Sequence, residues 1–486
     1  MSLSRQVAAN TILQVTTKVL STALAAVTLG ILTRYLHEDG YGAFTIATTF
    51  PQVFGIVADL GFYLIGIQLV SEINENHTRN YQAIITLRLI TAVVFLALAP
   101  LASLFFPYGL EVKIGIAIIS LSVLLSSLIQ IFTIQFQVNL AMLIPMLADI
   151  VSKVFLIAGI GIAVYFQAGF LPILWIVVIN NIIQCVIVLY GSLRYERIAL
   201  IWDPPLFRRI MVRSWPIGLS IIFNLVYLKV DTIILSLYYP QSDVGIYGGA
   251  YRVFEVLLSL PAMFMGLTLA SFSRSWSSGD TTSFKRYFQK SFDFMVMATM
   301  PLIAGTFFVA RPLMSVLLGE SFERSGDILQ ILILGTACVF FGSFIGHLIN
   351  VVHQQKRMLY GYLVGAVFGV SAYLLLIPPF TYWGAAWATV ATECLVMFFA
   401  FHVFSSTTGI CPRYEAAKRI GIATVVMAFL LVFLSQMPLL IAVLAAALLY
   451  GGTLYLFGVI PKNLLLDLLR MINGRQATST DLSPHN

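Results

Sequence analysis

The chain has 486 residues, 59% of them hydrophobic and only 10% charged, with a mean hydropathy of +0.93 and a formal net charge of +7. A soluble domain carries about 25% charged residues, which excludes a soluble multi-domain protein. The apolar runs are continuous rather than alternating, which excludes an outer-membrane barrel.

Polar punctuation divides the chain into about 14 spans of roughly 20 residues or more, each enough to cross a hydrocarbon core of about 30 Å. The N-terminal stretch has one basic residue, Arg5, and no small-residue cleavage site, so the first span, 8–34, is expected to be retained. In it Asn10, Gln14, Lys18 and Thr22 recur every four residues, one polar stripe on a helix. The second span, 42–70, sets Thr45, Thr48, Gln52 and Asp59 on or near one face. The third, 81–106, follows Arg79 and includes Arg88; the fourth, 112–137, carries Gln130, Thr133 and Gln137. Asp149 and Lys153 make an i, i+4 pair in the fifth, 141–165, and Asn180, Asn181 and Gln184 cluster in the sixth, 171–193. A basic, proline-broken linker, "RYERIALIWDPPLFRRIMVRSW", then precedes the seventh span, 214–239.

The seventh span places Lys229 and Asp231 two residues apart, about 200° around a helix, so they cannot pair with each other. Asn224, Tyr227 and Asp231 form one stripe, and Lys229, Thr232 and Ser236 another. The eighth span, 245–272, carries Arg252, Glu255 and Ser259, with Arg252 and Glu255 spaced to pair. Spans 286–310, 326–352, 357–378 and 382–405 follow; Glu393 lies in the last of them, with Thr389 one turn away. The final two, 415–436 and 438–460, hold no charge between Ile422 and Val459, and the tail "NGRQATSTDLSPHN" reads as disordered.

An ionised side chain at the bilayer centre costs about 2.5–3.5 kcal/mol on insertion scales, so such residues face a bundle interior or water. Lys18 and Lys229 have no carboxylate at i±3 or i±4 and read as cavity-lining. For Arg252 with Glu255 and Asp149 with Lys153, helix-gluing pairs are an equal alternative. The amides of the fourth and sixth spans read as interhelical hydrogen-bonding groups.

Among the 28 Lys and Arg, Arg79, Arg88 and those of the linker share one side, while only Arg34, Lys113, Arg311 and Arg324 fall in loops of the other. This bias puts both termini in the cytoplasm and makes the basicity a topology signal, so no nucleic-acid partner is expected. Two stretches resemble each other: "RYLHEDGYGAFTIA" from Arg34 and "LYYPQSDVGIYGGAYRV" from Leu237 each join two spans through an acidic turn and a Tyr-Gly pair. A weaker echo aligns Gln135–Pro145 with Val351–Gly361. The expected fold is all-α and integral to the membrane, with two six-helix pseudo-repeats and a C-terminal helix pair. Its expected parts are 1–193, a linker at 194–213, 214–405, the extra pair at 406–460 and a cytoplasmic tail at 461–486.

No Gly-Lys dipeptide, HExxH or GxSxG occurs. The four cysteines, Cys185, Cys338, Cys394 and Cys411, show no paired spacing. No catalytic residue, cofactor or metal site is expected, and the chain does not read as an enzyme.

The span count, the "RYLHEDGYGAF" turn and "KVDTIILSLYYPQSDVGIYGGAYRVFE" resemble the polysaccharide-exporting branch of the multidrug/oligosaccharidyl-lipid/polysaccharide exporter superfamily, the Wzx-type O-antigen or repeat-unit flippases. The resemblance covers essentially the whole chain through loose motifs. It implies a fold that opens inward and outward around a cationic cavity in the inner membrane, and an undecaprenyl-diphosphate-linked oligosaccharide as substrate. On that reading Lys18, Lys229 and Arg252 meet the diphosphate. Asn10, Gln14, Thr22, Gln52, Asp59, Asn224, Tyr227, Asp231, Glu255 and Ser259 line the cavity, and Asp59 and Glu393 are the candidates for a coupling ion, H+ or Na+. Membrane lipids and other polysaccharide-assembly proteins are candidate partners. A lipid II flippase or a multidrug exporter of the same superfamily is the alternative, and a membrane glycan polymerase or ligase a further one.

Overall fold

The computed structural model describes residues 3–72, 77–434 and 437–459, with backbone alone for 3–15, 224–226 and 267. The tail expected at 461–486 therefore lies outside the described residues. Among the described residues the fold is helical throughout, with no strand. The helices are α1 (Leu3–Asp59), α2 (Phe62–Ser71), α3 (His77–Ser103), α4 (Leu110–Val138), α5 (Leu143–Tyr165), α6 (Phe170–Ser192), α7 (Pro204–Tyr238), α8 (Gln241–Ser277), α9 (Thr281–Leu318), α10 (Glu323–Val351), α11 (Gln355–Thr408), α12 (Glu415–Phe433) and α13 (Leu439–Leu456). A short 3-10 turn, Glu320–Phe322, leads into α10. Lipid offers the backbone no hydrogen bonds, so long apolar runs close their own as helices.

Among the described residues ten helices are long and apolar enough to cross a membrane, or twelve if the bent α7 and α8 each count as one span. The sequence leads to an expectation of about 14, and the difference lies in two very long helices. Thr16–Ser71 spans 56 residues and Gln355–Thr408 spans 54, or about 80 Å at 1.5 Å per residue, well beyond one crossing. Each is interrupted, at His37 (φ 55°) and at Thr381 (φ 58°), and each holds two of the expected spans on either side of its break. The turns after α4 and α10, paired in the sequence as an echo, share one left-handed ending. Leu140 (φ 52°) is followed by Ala141 N–H donating to Phe136 O at 2.8 Å, and His353 (φ 57°) by Gln354 N–H donating to Ile349 O at 3.0 Å. The geometry matches Leu140 to His353, three residues away from the sequence register, which pairs Leu140 with Lys356.

The chain divides into two compact units. One comprises Met1–Ala270 with Arg311–Thr407. In it Phe62, Ile65, Tyr81, Ile84, Ile131, Phe136 and Val188 form a buried core joining α2, α3, α4 and α6. Val154 and Phe155 of α5 are more than half exposed, as side chains facing acyl chains are. The two resembling stretches meet within this unit: a Cβ on Gly42 would lie 1.7 Å from Gln241 O, and one on Gly245 2.2 Å from Glu38 O. Only glycine allows backbones so close. Beside them Arg34 donates to Val316 O (2.6 Å) and Leu317 O (3.0 Å), and Thr33 Oγ1 to Leu318 O (2.8 Å), satisfying the last carbonyls of α9. A second backbone approach lies where α1 ends: a Cβ on Gly218 of α7 would lie 2.6 Å from the carbonyl carbon of Leu60.

The other unit comprises Ser271–Ala310 with Thr408–Asn486. Asp280 caps α9 by accepting from Ser283 N–H at 2.9 Å, which holds its carboxyl below the usual range. Tyr450 donates to Met297 O at 2.8 Å, and Gln289 makes two 2.8 Å bonds with the backbone of Arg413.

Candidate functional site

A cavity of about 920 Å3 lies within the first unit. α1 supplies the largest share of its wall, from Lys18 and Thr22 in the limb before His37 to Thr48, Gln52 and Asp59 in the limb after it. The break at His37 folds this helix back on itself, so two polar stripes far apart in sequence face one space. α3, α4, α5, α6, α7 and α8 complete the wall, with Leu317 of α9.

Five basic side chains line it, Lys18, Arg88, Lys153, Lys229 and Arg252, with the carboxylates Asp59 and Glu255. Glu255 bridges two of them: Lys229 Nζ donates to Oε1, and Arg252 Nη1 donates to Oε2 at 2.9 Å. One negative charge between two positive ones leaves a local excess of one cation. Lys229 Nζ also lies 5.8 Å from the Tyr251 ring centroid, within cation–π reach. On the opposite branch of the chain, Lys153 pairs with Asp149 at 3.3 Å and also donates to Ser21 of α1. Arg88, 3% exposed at its side chain, pairs with Asp59 at 2.6 Å and reaches Gln130 Oε1 at 3.4 Å. Lys18 has no ion pair or hydrogen bond among the described residues, which leaves its three donors for whatever enters.

The structure thus brings together Lys18, Thr22, Gln52, Asp59, Lys229, Arg252, Glu255 and Ser259. It does not place Tyr227 or Asp231 on this wall. Asp231 is fully buried, accepting from Tyr247 Oη at 2.6 Å and from Thr232 N–H at 2.6 Å. Tyr227 is 1% exposed and donates to Glu393 Oε1 at 3.0 Å. The stripe containing both therefore faces α8 and α11 rather than the cavity, because a 3.6-residue period fixes a face but not the neighbour it meets. The side chains of Asn10, Gln14 and Asn224 lie outside the described residues.

Three groups escaped the sequence reading. Arg88 counts there as a topology charge at a span end, yet it is buried and turned inward. For Lys153 the sequence leaves a self-contained pair and a cavity-lining group as equal alternatives, and it is both, paired with Asp149 and on the cavity wall. Gln130 and Asn181 read as interhelical groups and line it too, with Ser122, Ser126 and Ser127. Their polarity in apolar spans was the available signal; its direction was not.

The profile of the family described as polysaccharide biosynthesis protein matches residues 7–274, more than half of the chain, and that described as MatE matches 216–374. Among solved structures, lipid II flippase MurJ in an inward closed conformation superposes with a TM-score of 0.73 at 16% identity, over 95% of this chain and 99% of that one. An inward-facing multidrug resistance MATE family transporter of the MOP superfamily gives a TM-score of 0.63 at 13% identity, over 81% and 94%. A MOP superfamily transporter from Pyrococcus furiosus gives 0.54 at 12% identity, over 81% and 95%. At such identities the likeness is one of fold. No curated protein matches the chain. By its sequence profile over more than half of its length, the chain belongs to the family described as polysaccharide biosynthesis protein.

Proposed function

We propose that the protein is a flippase that carries an undecaprenyl-diphosphate-linked oligosaccharide from the cytoplasmic to the outer leaflet of the inner membrane, for O-antigen or another surface polysaccharide. The observation that carries this reading is the meeting of Lys18, Lys229 and Arg252 on one cavity. A sugar hydroxyl moved from water to hydrocarbon costs about 4–8 kcal/mol when nothing can hydrogen-bond it, so a head of several sugars does not cross lipid unaided. A polar cavity removes most of that barrier. The Arg252 guanidinium offers a planar donor fork to one phosphate, Lys229 and Lys18 offer mobile point charges, and the prenyl tail stays in lipid.

Alternating access needs two closures that can open in turn. The glycine contacts between the duplicated turns and at Gly218 against Leu60 are assigned to these. Of the two candidates for ion coupling, Asp59 already faces the Arg88 cation, whereas among the described residues Glu393 has the Tyr227 hydroxyl as its hydrogen-bond partner and no ion pair. Coupling is therefore assigned to Glu393. Both termini are assigned to the cytoplasm on the bias of the basic loops.

The test is a flipping assay with the purified protein in vesicles and defined undecaprenyl-diphosphate sugars. Translocation of the sugar-bearing lipid without any second enzyme supports the reading. Release of a polymerised or ligated glycan, or movement of cationic drugs in place of the lipid, replaces it with a polymerase, a ligase or a multidrug exporter.

A further inference from the structure

The cavity wall formed by α4 and α6 is polar without being charged. On α4, Ser122, Ser126 and Gln130 recur every four residues with Ser127 beside them, and Asn181 of α6 faces them; all five line the cavity. Asn181 Nδ2 donates to Ser122 Oγ at 2.6 Å and to Ser126 Oγ at 3.0 Å, which fixes the two helices and the orientation of the strip.

Two groups in this strip are unused. Ser127 is 5% exposed, and its hydroxyl has no hydrogen-bond partner among the described residues. Gln130 accepts at Oε1 from Arg88, while its amide nitrogen has no partner among the described residues. A buried polar group left unpaired is unfavourable, so the Ser127 hydroxyl beside the cavity calls for a partner from outside, while the exposed Gln130 amide is open to one. Because neither α4 nor α6 supplies a cation here, and the Arg88 guanidinium that reaches Gln130 is already paired with Asp59, the partner that fits is neutral and rich in hydroxyl or amide groups rather than a phosphate. From Ser122 to Gln130 the strip runs about 12 Å along α4, the length of roughly two linked sugar rings.

We infer that the α4–α6 wall is a sugar-binding subsite that takes the hydroxyl or N-acetyl groups of the glycan, with Ser127 and Gln130 as its selective contacts. The inference rests on the flippase reading and adds to it the part of the cavity that distinguishes one glycan from another.

The experiment measures dissociation constants of the purified full-length protein for three probes: undecaprenyl diphosphate alone, and the same lipid bearing one hexose or one N-acetylhexosamine. Wild type is expected to bind a sugar-bearing probe more tightly than the bare one. Ser127→Ala, which removes only an unpaired hydroxyl, should weaken that probe about five-fold, and Ser127→Ala with Gln130→Met about twenty-fold, at about one neutral hydrogen bond each. Binding of the bare lipid should stay unchanged, which also shows that the variants are folded. The subsite is overturned if wild type does not distinguish the probes, if both variants bind the sugar-bearing lipid like wild type, or if all three probes weaken together. If wild type binds none of the three, the flippase reading itself fails and takes the subsite with it.

Discussion

Glu255 holds Lys229 and Arg252 between its two oxygens, so Glu255→Gln should tighten, not weaken, the binding of a diphosphate. The carboxylate lies 2.9 Å from Arg252 Nη1. A phosphate that shares that guanidinium cannot come much closer to Glu255 than about 6 Å, where two unit charges repel by about 3 kcal/mol at an effective dielectric of about 20. For the one phosphate charge nearest Glu255 that corresponds to a gain in affinity of about 100-fold, and with about a quarter of the Glu255 side chain exposed, screening reduces the expected gain to about ten-fold. Release should slow in the same proportion, so translocation falls while affinity rises. Equilibrium binding of undecaprenyl diphosphate to purified wild type and Glu255→Gln, at two salt concentrations, measures this directly. Unchanged or weaker binding by a variant that keeps the wild-type melting temperature would refute the claim that the two cations serve an anion.

Arg88→Met leaves Asp59 without its cation and should destabilise the protein by about 3 kcal/mol, lowering the melting temperature in detergent. The double variant Arg88→Met with Asp59→Asn should recover most of the loss, since the stranded charge is then gone. Gly42→Val places side-chain carbon where Gln241 O now lies, so the duplicated turns cannot close. A cysteine introduced at Thr48 should then label faster from the side on which these turns lie than it does with Gly42 intact, and transport should fall. Glu393→Gln should leave binding of the lipid intact but remove any dependence of transport on pH or sodium, read from initial rates across a gradient.

Much of the architecture was legible because membrane helices are written in long apolar runs, and because the Tyr-Gly turns at Tyr41 and Tyr247 repeat one solution to a close helix contact. Lys18, Lys229 and Arg252 stood out for the same reason, as charges that lipid does not tolerate. What the sequence left open is direction. Asp231 and Lys229 are two residues apart and equally polar, yet one is sealed against Tyr247 and the other lines the cavity. Arg88 looked like a loop charge because it stands seven residues from the start of its span, and only the approach of Asp59 from α1 shows that it points inward. The neutral wall of α4 and α6 was hidden by its own hydrogen bonds, which serve equally to join two helices and to build a surface. The sequence counts more spans than there are separate helices because a single left-handed residue, His37 or Thr381, turns a chain that stays helical on either side.

The central claim is that one set of cations on one cavity carries the headgroup across. The most direct measurement is the rate of undecaprenyl-diphosphate-sugar translocation by Lys18→Ala with Lys229→Ala in vesicles, normalised to protein inserted. The account predicts loss of translocation with insertion and melting temperature preserved. Translocation at the wild-type rate by the double variant would contradict it.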